Sequence, residues 1–263
     1  MPSQIKTTDA SGRSGTIDRG DGVELAFAAR GGRPPAVVFF PGFSSDMTGT
    51  KATFLDSLCA ERGQAFLRFD YSGHGASGGR FDAGTISRWR DDALAVIDAV
   101  LPEGPLLFVG SSMGGWIALL AALARAERLA ALIGIAAAPD FTEDLMWESL
   151  TFQERARLRQ EGSIQVPNPY GPPTPVTRAL IEDGRHCRVL TRGPLPIHVP
   201  VRLLHGQQDR EVPWELSLRT AAAIGGGDVH VTLVKDGDHR LSRPEDLALL
   251  RRTLAALLEE DGA

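Results

Sequence analysis

Ser112 lies at the centre of the segment Gly110-Ser111-Ser112-Met113-Gly114, which follows the apolar run Leu106–Val109 and precedes a helical pattern. A serine between a strand and a helix can stand on a sharp, strained turn that exposes its hydroxyl for attack on a carbonyl carbon. Such a turn has no room for bulky side chains two residues before and after the serine, where this chain has Gly110 and Gly114. The spacing therefore predicts that Ser112 is a nucleophile.

A serine hydroxyl is a weak nucleophile and needs a base, usually a histidine that is held by a carboxylate. Asp209 follows the apolar run Val201–Leu204, and His239 follows the next run, Val229–Val234. Catalytic side chains of parallel sheets collect at the carboxyl ends of the strands. We therefore expect Asp209 to orient His239, and His239 to accept the proton of Ser112.

Other acids and histidines lie close to these positions. Asp140 follows the run Leu129–Ala136 and is the alternative partner of the histidine. Asp238 adjoins His239, but neighbours on a loop point apart, so Asp238 is expected to order the loop. His205 precedes a glycine at the end of a strand and is interpreted as a packed structural residue.

The oxyanion that forms on an attacked carbonyl needs hydrogen-bond donors. One donor is the backbone N–H of the residue after the nucleophile, here Met113. A second is expected from the loop after the run Ala36–Phe40, where Pro41-Gly42-Phe43 turns sharply and places the N–H of Phe43 as a donor. Phe43 and Met113 thus form the expected oxyanion hole.

Composition and charge exclude several kinds of partner. The 263 residues are 43% hydrophobic and 23% charged, which is typical of a globular protein. Because 28 Lys and Arg are scattered among 33 Asp and Glu, we expect no nucleic-acid partner. The two distant cysteines, Cys59 and Cys187, support neither a disulfide framework nor a thiolate zinc site, and no metal is expected. The sequence leaves self-association open.

The location expected from the sequence is the cytoplasm, with the mitochondrial matrix as the alternative for a eukaryotic source. The short leading segment is polar and contains Asp9 and Asp18, which favours neither a signal peptide nor a transit peptide. The longest apolar run, Leu129–Ala138, is about half of what a membrane span needs.

One glycine-rich motif matches a cofactor-binding fingerprint, but the residues that follow it do not fit such a site. Gly73-His74-Gly75-Ala76-Ser77-Gly78 matches the dinucleotide fingerprint and follows a strand. That fingerprint must open a helix, whereas further loop residues follow here, and the acids about 20 residues on, Asp91 and Asp92, fall within a predicted helix. We therefore interpret the motif as a structural loop and expect no cofactor.

Apolar runs of strand length alternate with helical patterns, which is typical of a mostly parallel sheet flanked by helices. A hairpin around Gly20-Asp21-Gly22 opens the fold. A Ser-x-x-Glu capping box, Ser242 to Glu245, is expected to begin the last helix. The later strands are predicted at Ala36–Phe40, Ala65–Phe69, Leu106–Val109, Leu129–Ala136, Val201–Leu204 and Val229–Val234, and the helices at Thr50–Arg62, Ile86–Val100, Trp116–Ala124, Pro213–Ile224 and Pro244–Leu258.

The alternation fails in the middle of the chain, so residues 140–196 are expected to form a cap on a core of residues 1–139 and 197–263. A capping box at Thr151 to Glu154 and a short helix near Val176–Asp183 are expected within the cap. Prolines exclude a regular helix or a central strand between them, at Pro167, Pro169, Pro172, Pro173 and Pro175. Apolar side chains at helical spacing are candidates to hold a substrate's acyl chain, with simple packing on the body of the protein as the alternative; they are Phe141, Leu145, Met146 and Trp147, followed by Leu150 and Phe152.

These motifs resemble the α/β-hydrolase superfamily over roughly Val23–Leu258. More narrowly, the chain is similar to the abhydrolase-domain ten family, mitochondrial serine hydrolases that remove palmitoyl groups from protein cysteines and cleave acyl glucuronides. The stretches specific to that family are Gly-Ser-Ser-Met-Gly-Gly-Trp at 110–116, Val212-Pro213-Trp214 and Gly49-Thr50-Lys51-Ala52. The resemblance implies an α/β-hydrolase fold with the triad Ser112, Asp209 and His239.

The hypothesis from the sequence is a serine hydrolase that cleaves carboxylic esters or thioesters of a small-molecule or acylated substrate through an acyl-enzyme. A hydrolase that uses the same triad on carbon–carbon bonds is the alternative. A haloalkane dehalogenase is disfavoured because it needs a carboxylate where Ser112 stands. A ligand-binding protein without activity is disfavoured because no member of the triad is missing.

Overall fold

A computed structural model describes residues 5–8, 12–167 and 173–260 of this chain. Its strands are β1 (Ile5–Thr8), β2 (Gly12–Asp18), β3 (Glu24–Arg30), β4 (Arg33–Phe40), β5 (Gln64–Phe69), β6 (Leu106–Ser111), β7 (Leu129–Ile135), β8 (Ser163–Val166), β9 (Thr174–Thr177), β10 (Val201–Gly206) and β11 (Val229–Val234). Its α-helices are α1 (Thr50–Arg62), α2 (Ile86–Val100), α3 (Met113–Ala124), α4 (Phe152–Glu161), α5 (Arg178–His186), α6 (Glu215–Ala223) and α7 (Pro244–Glu260). Short 3₁₀ turns lie at Phe81–Ala83 and Ala126–Arg128, and a π-helix at Thr142–Trp147.

Nine of the described strands form one large sheet in the order β1-β2-β3-β5-β4-β6-β7-β10-β11, and β8 and β9 form a separate two-stranded sheet. The pairs β1/β2, β2/β3 and β3/β5 are antiparallel, and the pairs from β5 to β11 are parallel. The carboxyl ends of the parallel strands therefore meet at one edge of the sheet. The predicted mostly parallel sheet with flanking helices is confirmed, and the hairpin around residues 20–22 joins β2 to β3 as expected.

The central strands are apolar along their whole length because both faces of the sheet are covered. In β4, Val38 and Phe40 face a cluster that contains Trp89 of α2 and Trp116 of α3. Val37 and Phe39 face the opposite cluster, formed with leucines of α1 and α7. The alternation of a strand thus divides its side chains between two cores, which explains the continuous apolar runs in the sequence.

The helix α7 begins at Pro244 as predicted, but its capping contacts differ from the prediction. The carboxylate of Asp246 accepts a hydrogen bond from the backbone N–H of Arg243, at 3.1 Å, whereas the hydroxyl of Ser242 donates to the carbonyl of Arg240. The expected box between Ser242 and Glu245 is therefore wrong by one residue. The helix begins at Pro244, so Asp246 and not Glu245 occupies its third position.

The glycine-rich motif after β5 is a structural loop. Asp92 of α2 is fully buried and accepts hydrogen bonds from the N–H and the hydroxyl of Ser72, at 2.8 and 2.6 Å. Arg19 forms an ion pair with the same carboxylate at 2.8 Å. In a dinucleotide site, an acid about 20 residues after the motif would bind the ribose. Here Asp92 occupies that position and anchors the loop to α2 instead.

The segment between β7 and β10 contains the π-helix, α4, the antiparallel pair β8/β9 and α5. The predicted capping box at Thr151 and Glu154 is present. The predicted short helix appears as α5, and Pro175 lies in β9 of a two-stranded pair, not in a central strand. Pro169 and Pro172 lie outside the described residues.

A separate apolar cluster holds the segment between β7 and β10 together, formed by Trp147, Leu150, Leu158, Ile164, Val176 and Ile181. We refer to residues 140–196 as the cap and propose it as a structural subdivision.

Asp140 joins the two ends of the cap. Its side chain is fully buried and its φ is +62°, a left-handed conformation that is uncommon outside glycine. The carboxylate accepts hydrogen bonds from the backbone N–H groups of Val189 and Leu190, at 2.8 and 3.1 Å, and lies 3.5 Å from the guanidinium of Arg188. The first residue of the cap is thereby fixed to the segment that returns to the sheet.

Candidate active site

Ser112 stands on the strained turn that its neighbours predict. It has φ +55° and ψ −122°, and it connects the end of β6 directly to the start of α3. Its N–H donates to the carbonyl of Ile135 at 2.9 Å, and its carbonyl accepts from Ala138 at 3.1 Å, so the end of β7 braces the turn. A β-carbon at Gly114 would overlap the carbonyl oxygen of Phe40, so glycine is required at this position.

The three side chains that the sequence predicts to act together do meet. His239 Nε2 lies 3.1 Å from the Ser112 hydroxyl oxygen, and His239 Nδ1 lies 2.7 Å from Asp209 Oδ2. Since an ionised carboxylate only accepts, the Nδ1–H of His239 donates to Asp209 and the Ser112 hydroxyl donates to Nε2. The three residues come from loops after β6, β10 and β11, at the same edge of the sheet.

The Asp209 side chain is fully buried and receives donors on both oxygens. Its Oδ1 accepts from the backbone N–H groups of Glu211 and Val212, each at 2.9 Å, and its Oδ2 accepts from His239 and from His205. Burial by itself raises the pKa of Asp209, but the hydrogen bonds from His205 and His239 outweigh it and hold that pKa well below its ordinary value. The acid is therefore ionised at neutral pH.

The alternative residues have other partners. The carboxylate of Asp140 is bonded to backbone amides of the cap, and no described contact joins it to His239. Asp238 accepts a hydrogen bond from the N–H of Leu241 at 3.0 Å, which is the loop-ordering contact expected for it. These positions favour Asp209 over Asp140 as the partner of the histidine.

The loop after β4 lies directly against the turn at Ser112. A β-carbon at Gly42 would lie 3.3 Å from the carbonyl oxygen of Ser111 and 3.4 Å from the β-carbon of Ser112, so the backbone approaches closely. The ring of Phe43 is held by three aromatic neighbours, with ring centroids 5.1 Å from Phe81, 5.8 Å from Trp89 and 5.9 Å from Phe141. Met113 is the first residue of α3, where a backbone N–H has no acceptor within the helix. This arrangement suits the two predicted donors.

A cavity of about 610 Å³ opens beside Ser112 and His239. Phe141, Leu145 and Met146 line it, together with Val166 and Val176 of the β8/β9 pair. Trp147 instead lies in the cap's apolar cluster beneath the guanidinium groups of Arg155, Arg159 and Arg185, 4.8 to 5.1 Å from its ring. Leu150 packs in the same cluster, and Phe152 is 81% exposed.

The position of Trp147 differs from the prediction, and its spacing from the other side chains explains the difference. Residues two positions apart on a helix do not face each other, so Trp147 diverges from Leu145. The hydrogen bonds of the π-helix Thr142–Trp147 run from i to i+5, so its wider turn brings Met146 close to the face of Phe141. Phe141, Leu145 and Met146 remain beside the cavity, whereas Trp147 lies in the cap's core.

A polar side of the cavity adjoins the histidine. Glu211 and Arg240 line it, and a Glu211 carboxylate oxygen lies 3.8 Å from His239 Nε2. The ammonium of Lys51, on α1, donates to the carbonyl of Arg240 and so holds the loop that carries His239. Burial lowers the pKa of Lys51 to about 8. The sequence motif singled out Lys51 only through a resemblance, because nothing in its spacing shows which loop it contacts.

Sequence reasoning missed how two further residues connect to the site. His205, the next-to-last residue of β10, is fully buried as expected, but its Nε2 also lies 3.0 Å from Asp209 Oδ2. Ser217 of α6 lies 2.7 Å from the other nitrogen of that ring. A histidine four residues before the acid on the same chain segment is the only sequence feature that could have indicated the contact.

Comparison with known proteins agrees with this architecture. Residues 33–194 match the family model described as "Serine aminopeptidase, S33". The chain is 39% identical to mouse "Palmitoyl-protein thioesterase ABHD10, mitochondrial" over 246 residues, 93% of this chain and 82% of that protein. The chain belongs to this family of α/β hydrolases.

Solved structures of similar sequence share the fold of this α/β hydrolase. A putative hydrolase from Agrobacterium vitis S4 matches with a TM-score of 0.88 and 43% identity, covering 96% of this chain and 98% of that one. The mouse α/β hydrolase domain-containing protein 10 matches with a TM-score of 0.86 and 38% identity, covering 94% and 98%. The expected fold and family are confirmed.

Within the described residues, no helix is both long enough and apolar enough to cross a membrane.

The turn at Ser112 generates a first prediction. Gly114→Ala places a β-carbon on the carbonyl of Phe40 and forces β4 away from the turn. We expect a loss of about 2 kcal/mol or more in the free energy of unfolding, measured by urea denaturation, and slower reaction of Ser112 with a fluorophosphonate probe. Gly227→Ala is the control, because a β-carbon there meets nothing within 4 Å and the backbone is not left-handed. Equal stability and reactivity of the two variants would contradict the packing argument.

Proposed function

We propose that this α/β hydrolase cleaves acyl esters or thioesters through an acyl-enzyme on Ser112. The observation that carries the proposal is the position of the His239 imidazole, 3.1 Å from the serine oxygen and 2.7 Å from the buried carboxylate of Asp209. A nucleophile, a base and an oriented acid in this arrangement are the parts that acyl transfer requires.

In the proposed reaction, the oxygen of Ser112 attacks the carbonyl carbon while its proton passes to His239 Nε2. The oxyanion of the tetrahedral intermediate accepts hydrogen bonds from the N–H groups of Phe43 and Met113. As the intermediate collapses, His239 returns the proton to the departing alcohol or thiol, leaving an ester on Ser112. Water then attacks this ester while His239 accepts its proton, and His239 returns that proton to the Ser112 oxygen as the carboxylic acid is released. Asp209 keeps the imidazole oriented and stabilises its positive charge.

The cavity suggests which part of the substrate lies where. Its apolar side is formed by Phe141, Leu145 and Met146 of the cap, and burial of methylene groups against such side chains is favourable. We propose that the acyl chain lies along these residues and that the leaving group departs past His239. The relatives that are named palmitoyl-protein thioesterases support a long acyl chain and a thiol leaving group.

A compartment can be proposed from the same relatives. The names of the mouse and human proteins place those proteins in mitochondria. We therefore favour the mitochondrial matrix over the cytoplasm if this chain is from a eukaryote.

The catalytic assignment predicts where a probe reacts and which acid matters. A fluorophosphonate should label the wild-type protein at Ser112, and Ser112→Ala should abolish the labelling.

The choice of acid is tested separately. Asp209→Asn should lower kcat by about 10³- to 10⁴-fold, because the amide favours the wrong tautomer of the histidine. Asp140→Asn changes only a cap contact, and we expect less than about a tenfold change. The reverse ranking, measured with a neutral thioester and checked by thermal unfolding, would reject Asp209 as the acid.

The proposed acyl site predicts a change in chain-length preference. Leu145→Trp should fill part of the cavity, so that kcat/KM for long-chain thioesters falls while that for acetyl and butyryl thioesters is retained. Each methylene that no longer fits should cost about 0.8 kcal/mol. Phe152→Ala is the matched control, because Phe152 belongs to the cap but is exposed. A uniform effect of Leu145→Trp across the series would show that the chain lies elsewhere.

A further inference from the structure

His205 occupies a position that links the candidate acid to the body of the protein. It lies near the end of β10, is fully buried, and lies within hydrogen-bond distance of Asp209. Its Nε2 is 3.0 Å from Asp209 Oδ2, the same oxygen that lies 2.7 Å from His239 Nδ1. One carboxylate oxygen thus lies between two imidazoles.

The partners of the ring define where its proton lies. Nε2 of His205 is within 3.1 Å of the carbonyl oxygen of Val212 as well as the Asp209 carboxylate, and both groups only accept. Nε2 therefore carries a hydrogen. On the other side, Nδ1 lies 2.7 Å from the hydroxyl of Ser217, which donates to Nδ1 when the ring is neutral. The resulting chain of donors runs from Ser217 through His205 to Asp209.

From this chain of hydrogen bonds, we infer that His205 is a positioning residue that fixes the rotation of the Asp209 carboxylate for its work on His239. The inference rests on the function proposed above. Oδ1 is held by the N–H groups of Glu211 and Val212, and Oδ2 by the two histidines. A carboxylate with a donor on each side cannot turn, so Oδ2 stays in line with His239 while the imidazole gains and loses a proton. A preorganised partner of this kind costs no reorganisation during the reaction.

The same contacts explain why a packed apolar residue would not serve at position 205. Without the Nε2 donor, Oδ2 keeps one of its two partners in a fully buried site, and the carboxylate gains freedom to rotate. Hydrogen bonds to charged groups in such sites are among the stronger ones. The expected effect is on the chemical step, because His205 does not line the cavity that surrounds Ser112 within the described residues.

Two amide substitutions separate positioning from packing. His205→Gln places an N–H donor near the position of Nε2, whereas His205→Asn places its amide near Nδ1, facing Ser217. Both are polar and smaller than histidine, so they disturb the buried site to a similar extent. We expect His205→Gln to retain kcat within about threefold and His205→Asn to lose roughly 10- to 100-fold in kcat with little change in KM. Rates of labelling of Ser112 by a fluorophosphonate should follow the same order.

Ser217 provides a milder variant of the same test. Ser217→Ala removes the hydrogen bond to Nδ1, and we expect kcat to fall by about three- to tenfold. Thr220→Val is the control, because Thr220 is also fully buried on α6 but its hydroxyl donates to the carbonyl of Leu216.

The position of the hydrogen on His205 can be measured directly. In wild-type protein carrying ¹⁵N-labelled histidine, the NMR shifts of His205 should show hydrogen on Nε2 and none on Nδ1. Thermal unfolding establishes that each variant is folded.

The outcomes distinguish this inference from the proposed function. A wild-type protein that labels at Ser112, combined with folded Gln and Asn variants of equal kcat, would overturn the role of His205 alone. Hydrogen on Nδ1 of His205 in the NMR spectrum would overturn it as well. A wild-type protein that neither labels nor hydrolyses esters or thioesters would overturn the proposed function, and the role of His205 with it.

Discussion

The site depends on one imidazole being held at both of its nitrogens. His239 reaches Ser112 with Nε2 and Asp209 with Nδ1, and the proposed reaction needs both contacts. Without the carboxylate, the ring could turn or carry its hydrogen on the wrong nitrogen. Without the serine, an oriented base would have no proton to accept. The surrounding structure fixes these three side chains, which lie up to 127 residues apart along the chain.

Backbone strain is concentrated at the edge of the sheet where these residues meet. Among the described residues, the non-glycine residues with positive φ are Ser44, Ser112, Ala136, Asp140 and Leu241, all in loops that follow parallel strands at that edge. Such conformations cost of order 1–3 kcal/mol each and persist where the surroundings determine them. The two apolar cores beneath the edge supply that constraint, together with buried carboxylates that tie loops to one another.

Asp70 shows how one buried carboxylate ties two of these loops together. It accepts hydrogen bonds from the N–H groups of Met47 and Ala76, at 2.7 and 2.8 Å, and so joins the loop after β4 to the loop after β5. Burial raises the pKa of Asp70, and the two amide bonds offset this only in part. The loop after β4, which carries Phe43, is therefore held by Asp70 at the end of the neighbouring strand β5.

The sequence was sufficient for the parts of the fold and site that local patterns determine. Strands buried on both faces give continuous apolar runs, and the turn at Ser112 needs glycine at 110 and 114. The role of His205 could not be predicted, because a histidine before a glycine does not show what its ring faces across a loop. Trp147 lies on another face than Leu145 because residues two positions apart on a helix do not face each other. The helix α7 begins at Pro244 as predicted, but its capping contact joins Arg243 and Asp246, each one residue after the predicted pair.

A structure of the protein after reaction with a long-chain alkyl phosphonate would show which residue is the nucleophile and where the acyl chain lies. We expect phosphorus bonded to the Ser112 oxygen, with the phosphoryl oxygen about 2.7–3.1 Å from the backbone nitrogens of Phe43 and Met113. The alkyl chain should lie along Leu145 and Met146. Phosphorus on any other residue, or a phosphoryl oxygen directed away from both nitrogens, would contradict the proposed mechanism.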